Sequence, residues 1–411
     1  MANSREIALN VLWACHTQGA WADGALKKEL AKARLDSRDA ALASRLVYGT
    51  LQDQLLLDYY LSPFCARGLD KLEPRVLDIL RLGAYQLLRM DKIPAMAAVN
   101  ESVELTKRRC KNPRTAGFVN AVLRNVDRSR HQLPALPQDP MEREFAAQVG
   151  EEELEALLAA DNAPAPITAQ VNTLKISPQA LVRRLEGEGV QATVHWLPDC
   201  LELADTGALE QLPSFQEGLF YIQDPAAKLA VLAAQPKAGE RVLDLCAAPG
   251  GKSFAAAIAM GGQGHILSRD IYPRKVDALA AAARRLGLSC IQTAVADATG
   301  KVEGRFDLVI ADVPCSGLGI IRKKPDIRYK DPAQFAQLPP IQRAILENVA
   351  GAVESGGRLL YATCTLRREE NGDQVARFLA GRPDFALCAQ ETLWPHRRGT
   401  DGFFYALLTR R

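Results

Sequence analysis

The 411-residue chain contains no run near the roughly 18 consecutive apolar residues that a membrane-spanning helix requires. An integral helical membrane protein is therefore not expected. The first residues, MANSREIALN, place Arg5 and Glu6 ahead of the apolar positions and offer no small-residue cleavage site, so no secretory leader is expected either. Nine cysteines occur without a C-x-x-C pair or any regular spacing. Neither a zinc site nor a disulfide framework is predicted, and reduced thiols in the cytoplasm are. Net charge is only +3, with 48% hydrophobic and 24% charged residues, which is ordinary for a globular chain. The length is too great for one core and predicts two or three domains.

The small net charge hides a strong segregation. Residues 1–130 carry +7, residues 131–235 carry −11 and residues 236–411 carry +7. Two basic ends around an acidic middle suit a polyanionic partner, although solvated helix faces would give the same counts.

Residues 4 to about 128 read as helices throughout. Val76, Ile79, Leu80, Gly83, Leu87 and Met90 form one helical stripe, and Phe118, Val119, Val122 and Val126 another. Breaks are expected at Ser62-Pro63, Glu73-Pro74, Ile93-Pro94 and Asn112-Pro113. The run Lys107 to Arg114 is the densest basic stretch and is a candidate phosphate contact or a solvated helix end. Proline-rich residues 131–140 predict a linker, followed by an acidic helix over 151–160 and then Pro164 and Pro166, which close this segment at 166. Residues 167–235 mix strand-like pieces (167–171, 192–196, 219–222) with a helix near 179–188, a small α+β module. From 236 to 411 short apolar strands alternate with helices, which predicts a doubly wound, mostly parallel sheet. One of those helices is expected to start at Pro340 and stop at Gly356-Gly357.

The first strand of that region runs into DLCAAPGGKS, Asp244 to Ser253. A strand, a glycine loop and a helix together bring a ligand against free backbone N–H groups. A P-loop would supply Gly251-Lys252-Ser253, but its first glycine would be Cys246. An NTPase is thus a runner-up. Against it stand carboxylates spaced to follow successive strands: Asp244, then Asp270, Asp297 and Asp312. Such groups line the crevice of a parallel sheet and suit ribose hydroxyls and an adenine amine. Each alone could be a turn residue; four in register favour a nucleoside ligand.

Two cysteines follow neighbouring strands, in Asp312-Val313-Pro314-Cys315 and in Thr363-Cys364-Thr365. Both should project into one crevice. A thiolate adding to carbon 6 of a cytosine makes carbon 5 nucleophilic enough to take a methyl group from a sulfonium donor. A base must then remove the carbon 5 proton before the adduct can eliminate. Asp312 is placed to favour the adduct near ring nitrogen 3 and the exocyclic amine, and Pro314 to shape the base pocket. Chemistry alone leaves open which cysteine attacks.

At these residues the chain resembles the RNA cytosine-5 methyltransferases of the Fmu/Sun family. DLCAAPGGKS, ADVPCSGLG (311–319), IRKKPDIR (321–328), YATCTLRREEN (361–371) and DGFFYA (401–406) correspond in order. The resemblance implies a Rossmann-like methyltransferase domain using S-adenosylmethionine, with Cys364 as nucleophile and Cys315 assisting product release. Donor contacts carry over to Cys246, Ala247, Ala248, Pro249, Gly250, Gly251 and Lys252, and to Asp270, Asp297 and Asp312. RLVYGTL (45–51), ILRLGAYQLL (79–88), AAVNESVELTK (97–107) and FVNAVLRN (118–125) resemble the all-α NusB-like RNA-binding domain. That pairing implies the bacterial 16S ribosomal RNA type, a monomer acting on free or partly assembled small-subunit RNA, with transfer RNA as the alternative substrate. Three positions depart from the family pattern: Gln170 for an Arg, Arg269 for a small apolar residue and Val313 for an Ala.

Overall fold

The computed structural model describes residues 3–33, 35–132, 140–330 and 332–411. It divides into two compact units, one of residues 1–150 with 322–329, the other of residues 151–321 with 330–411. The small α+β module and the larger sheet thus belong to one unit. The expected single span from 236 to 411 is interrupted, because 322–329 groups with the helical unit.

The helical unit is built from α1 (Ser4–Gln18), α2 (Ala22–Ala33), α3 (Ser37–Gln52), α4 (Gln54–Leu61), α5 (Pro74–Arg89), α6 (Ala95–Arg109) and α7 (Arg114–Ser129). Its boundaries follow from local chemistry. Asn3 and Asp36 accept the backbone N–H groups of Glu6 and Asp39 and so cap α1 and α3. Pro74 occupies the first turn of α5, where its missing N–H costs nothing. The expected proline breaks coincide with the gaps before α5, α6 and α7. Helix α5 is central, with residues 78 to 87 buried on nearly every face.

That burial includes charge. Arg81 forks onto Asp58 with two hydrogen bonds of 2.7 Å and reaches Asp78 at 3.4 Å. His16 Nδ1 lies 2.7 Å from Asp78, and its Nε2 lies 2.8 Å from Gln54. Residues 322–329 join this unit through a 3-10 turn, where Asp326 accepts the Ala22 N–H and Lys324 sits 5.9 Å from the Trp21 ring centre. The proline-rich stretch expected as a linker falls largely on residues 133–139, which lie outside the described residues; helices follow at Pro140–Val149 and Glu151–Asn162.

The second unit contains two sheets. The smaller is antiparallel, in the order β2-β3-β1-β4, from β1 (Ile167–Val171), β2 (Gln191–Val194), β3 (Cys200–Ala204) and β4 (Phe220–Ile222). Strand β3 is a finding beyond the sequence reading. The larger sheet has β5 (Arg241–Asp244), β6 (His265–Asp270), β7 (Ile291–Val295), β8 (Phe306–Asp312), β9 (Val353–Thr363), β10 (Phe385–Leu393) and β11 (Phe403–Arg410). Their order is β10-β11-β9-β8-β5-β6-β7, parallel from β9 through β7 and antiparallel at β9-β11-β10.

Strand β10 is a finding beyond the sequence reading. It is an edge strand, largely exposed and bulged at Leu387–Ala389, so FALCAQETL shows no alternation. The helix expected to stop at Gly356-Gly357 spans Leu338–Ala350 instead, and both glycines lie within β9. Gly356 there adopts a φ of +76°, so the pair marks an irregular strand start rather than a helix end. The order reverses beside β5, whose neighbours β6 and β8 lead off in opposite directions. The crevice at the C-terminal ends of β5 and β8 is the place where such sheets take ligands.

Candidate active site

Strand β5 delivers Asp244 to that crevice, fully buried. Its Oδ2 accepts from Ser253 Oγ at 2.7 Å, and Ser253 Oγ lies 2.7 Å from Ser268 Oγ on β6. Burial outweighs these bonds and pushes the Asp244 carboxyl up to about 7. The loop then turns sharply. Ala247 N donates to Arg269 O at 2.8 Å, Ala248 N to Asp270 Oδ2 at 3.3 Å, and Gly250 N to Ala247 O at 2.7 Å. A side chain at Gly250, where φ is +113°, would strike the Phe254 ring at 2.3 Å. The helix Gly251–Ala259 starts directly after it.

Asp270 is buried, and its other oxygen accepts the Tyr272 N–H at 3.1 Å, so Arg269 beside it leaves the carboxylate braced against the loop. Asp297 is exposed and accepts both the backbone N–H and the hydroxyl of Thr299 at 2.8 Å, which holds its carboxyl below the usual range. Asp312 ends β8 and accepts Lys252 Nζ at 2.6 Å. Burial works against the Lys252 charge, but the Asp312 carboxylate prevails and holds the ammonium more basic than usual. The same Nζ lies 5.1 Å from the Phe403 ring centre. Around Cys246, burial first and then the charges of Asp312, Asp244, Asp270 and Asp297 push the thiol far up. All four strand-end carboxylates therefore act on one loop. A polyphosphate would meet the Asp270, Asp297 and Asp312 carboxylates against a lysine already bound to Asp312, which counts against the NTPase alternative.

The two remaining cysteines meet. Val313 N donates to Ala362 O at 3.1 Å, extending the β8–β9 pairing by one step. Pro314, exposed, and Cys315 then leave β8 beside Thr363 and Cys364 leaving β9. The sulfurs of Cys315 and Cys364 lie 3.3 Å apart. Both residues are half-buried. The hydrogen bond to Cys364, and then burial, push the Cys315 thiol well up. Gly319 N donates to Cys364 O at 3.0 Å, and Gly402 N to Gly319 O at 2.7 Å. A Cβ on Gly319 would sit 1.9 Å from that Gly402 backbone, so the SGLG and DGFFYA segments close over the Thr-Cys turn only as glycines.

Sequence reading overlooked the side chains behind the cysteines. Gln342, Glu370 and Asn371 are buried there; the only signal was the polar triplet Glu369-Glu370-Asn371 inside a motif quoted for its cysteine. Gln170 stands where the family pattern has an Arg, a departure that puts one RNA or phosphate contact in doubt. Gln170 is fully buried in β1 and donates to Gln223 O at 2.9 Å, so it belongs to the interior. Of the basic run 107–114, Lys107 pairs with Glu104 at 2.6 Å and Arg109 with Glu6, while Arg108, Lys111 and Arg114 are exposed. Among the described residues no group of three or more His, Cys, Asp or Glu could hold a metal ion, and no helix is long and apolar enough to cross a membrane.

Known proteins with this pattern are numerous. The 16S rRNA methyltransferase RsmB/F family model matches residues 231–409, the NusB family model residues 2–128, and the RsmF/B-like ferredoxin-like domain residues 141–210. The "Probable ribosomal RNA small subunit methyltransferase B" of Bacillus subtilis is 35% identical, covering 99% of this chain and 98% of its own. The ribosomal RNA small subunit methyltransferase B of Klebsiella pneumoniae is 32% identical over 92% of each chain. In fold, the crystal structure of PH0851 covers 98% of both chains with a TM-score of 0.83 at 24% identity. With a NusB-type helical unit ahead of a Rossmann-like sheet, and relatives above 30% identity along its whole length, this chain belongs to the ribosomal RNA small subunit methyltransferase B family.

Proposed function

We propose that the protein methylates carbon 5 of a cytosine in 16S ribosomal RNA, with S-adenosylmethionine as donor, Cys364 as nucleophile and Cys315 as the group that assists release. The observation that carries this reading is the thiol pair 3.3 Å apart at the ends of adjacent strands, next to the carboxylate-lined loop. The substrate follows the names borne by the relatives; the base and the covalent route follow the chemistry of two thiols in one crevice.

The loop suits the donor. Asp270, Asp297 and Asp312 favour a cationic sulfonium and can accept from ribose hydroxyls and an amine, and the tight turn at Gly250 brings backbone close. When bound, S-adenosylmethionine supplies an electrophilic methyl group. The chain's own residues do the rest. Cys315, kept as a thiol 3.3 Å away, can donate its S–H to the Cys364 sulfur as that sulfur leaves carbon 6 at the end of the reaction. The Cys364 sulfur adds to carbon 6 and electron density moves to carbon 5; the bound donor would supply its methyl group there, its sulfonium–methyl bond breaking to leave a neutral thioether. Asp312, aligned by Lys252, favours the protonated ring nitrogen or amine of the adduct. Loss of the carbon 5 proton to a base then lets the Cys364–carbon 6 bond break and restores the ring. The cytosine has to leave any stack to reach the sulfur.

The test is a pair of variants given transcribed 16S ribosomal RNA and donor. Cys364→Ala is expected to form no covalent RNA–protein adduct and to transfer no methyl group. Cys315→Ala is expected to accumulate the adduct on a denaturing gel. Full activity of Cys364→Ala, or an adduct formed through Cys315 alone, would overturn the roles. Mapping 5-methylcytosine in ribosomal and transfer RNA from cells lacking the protein identifies the substrate; a site lost only from transfer RNA would refute the ribosomal reading.

A further inference from the structure

Two adjacent polar residues behind the site divide between the two cysteines. Glu370 is fully buried, and its Oε2 accepts from Ser316 N and from Gln342 Nε2, both at 2.9 Å. The same Gln342 amide donates to Pro314 O at 2.9 Å. Together they grip the residues on either side of Cys315. Asn371 does the equivalent for Cys364. Its Oδ1 accepts from Thr363 Oγ1 at 2.5 Å, and its Nδ2 donates to Thr365 O at 2.9 Å. A hydroxyl contact of 2.7 Å between Ser316 and Thr365 ties the two turns, and Tyr361 OH donates to the Glu370 carbonyl at 2.6 Å. The second Glu370 oxygen is buried with no hydrogen-bond partner. Retaining a buried carboxylate for two amide-type donors is costly unless its placement is needed elsewhere.

We propose that Glu370 and Asn371 are positioning residues, each holding one cysteine, Glu370 with Gln342 fixing Cys315 for product release and Asn371 fixing Cys364 for attack. This rests on the covalent reading above. Hydrogen bond to Cys364 and burial push the Cys315 thiol up, and the Glu370 charge adds to both, so the clamp also helps keep that sulfur protonated. Misplacing a reacting group by about an ångström can cost ~100-fold in rate, so each clamp has leverage on the step its cysteine performs.

The experiment uses the full chain, donor and transcribed 16S ribosomal RNA, reading adduct on a denaturing gel, single-turnover methyl incorporation and multiple turnover. Glu370→Ala is expected to accumulate adduct as Cys315→Ala does, with turnover down ~100-fold and single-turnover methylation within a few-fold. Asn371→Ala is expected to lose adduct formation and single-turnover methylation by ~100-fold. Glu370→Gln keeps an oxygen able to accept from Ser316 and Gln342, and should restore turnover to within a few-fold. If Glu370→Ala does not fold, Gln342→Met tests the same arm and should also accumulate adduct. Parallel loss of adduct and turnover in both Glu370→Ala and Asn371→Ala, or a Glu370→Gln no better than Glu370→Ala, overturns the proposal while Cys315→Ala still accumulates adduct. Absence of adduct in Cys315→Ala overturns the covalent reading and the proposal with it.

Discussion

The helical unit meets its deeply buried carboxylate with cations, whereas the sheet unit leaves two of its own without one. In the bundle, Asp78 is buried but has His16 and Arg81 beside it, and Arg81 has Asp58 as well. Each charge is met by its opposite, and the group ties α1, α4 and α5 together. In the sheet unit, Asp244 and Glu370 are as deeply buried yet are met by hydroxyls, amides and backbone N–H groups. Paired charges hold a fold. Carboxylates left with dipoles alone carry a standing cost and gather where a ligand or a reacting group is to be placed.

The sharpest way to break the contrast is to unpair the bundle. Arg81→Ala leaves Asp58 without its cation and Asp78 with His16 alone, and should destabilise the protein by about 3–5 kcal/mol, the usual consequence of removing one partner from a buried pair. Urea denaturation measures it, and a loss below about 1 kcal/mol would show that the network is not the fold's main electrostatic tie. The same surgery in the sheet unit should act on chemistry. Lys252→Ala removes the cation 2.6 Å from Asp312, and methyl transfer to RNA should fall ~100-fold as that carboxylate loses its orientation. Single-turnover methylation separates this from a binding effect, and an unchanged rate would remove Asp312 from the proposed mechanism.

Much of this was readable in the chain, for physical reasons. Prolines 74, 94 and 113 impose helix boundaries wherever they fall, and α5, α6 and α7 start at or just after them. The carboxylates and cysteines could be placed because parallel strands of a doubly wound sheet end on one side. What stayed hidden depends on tertiary neighbours. Strand β10 has no buried face to write a period of two. Gly356-Gly357 looks like a helix stop until β9 is seen to run through it. Residues 322–329 read as part of the catalytic stretch, yet their 3-10 turn joins the helical unit. Glu370 and Asn371 matter through what folds back over them, and no local pattern announces that.

The smallest effect is the most direct measure of the cost of burial without pairing. Desolvation raises the Asp244 carboxyl from its ordinary value to about 7, against the lowering effect of Ser253. Between about pH 4 and pH 7 the folded protein then holds a proton there that the unfolded chain has released. A group that binds more protons when folded loses stability as pH rises, so this site weakens the fold progressively across that window and stays unfavourable above it. Asp244→Asn keeps a side-chain oxygen for Ser253 and has no proton to lose. It should be near neutral at pH 5 and stabilising by on the order of 1 kcal/mol at pH 8. Paired melting curves across that range test it. A variant destabilised equally at both pH values would mean that Asp244 is held ionised, its charge balanced by neighbours as in the bundle, and the contrast between the two units would fail at this residue.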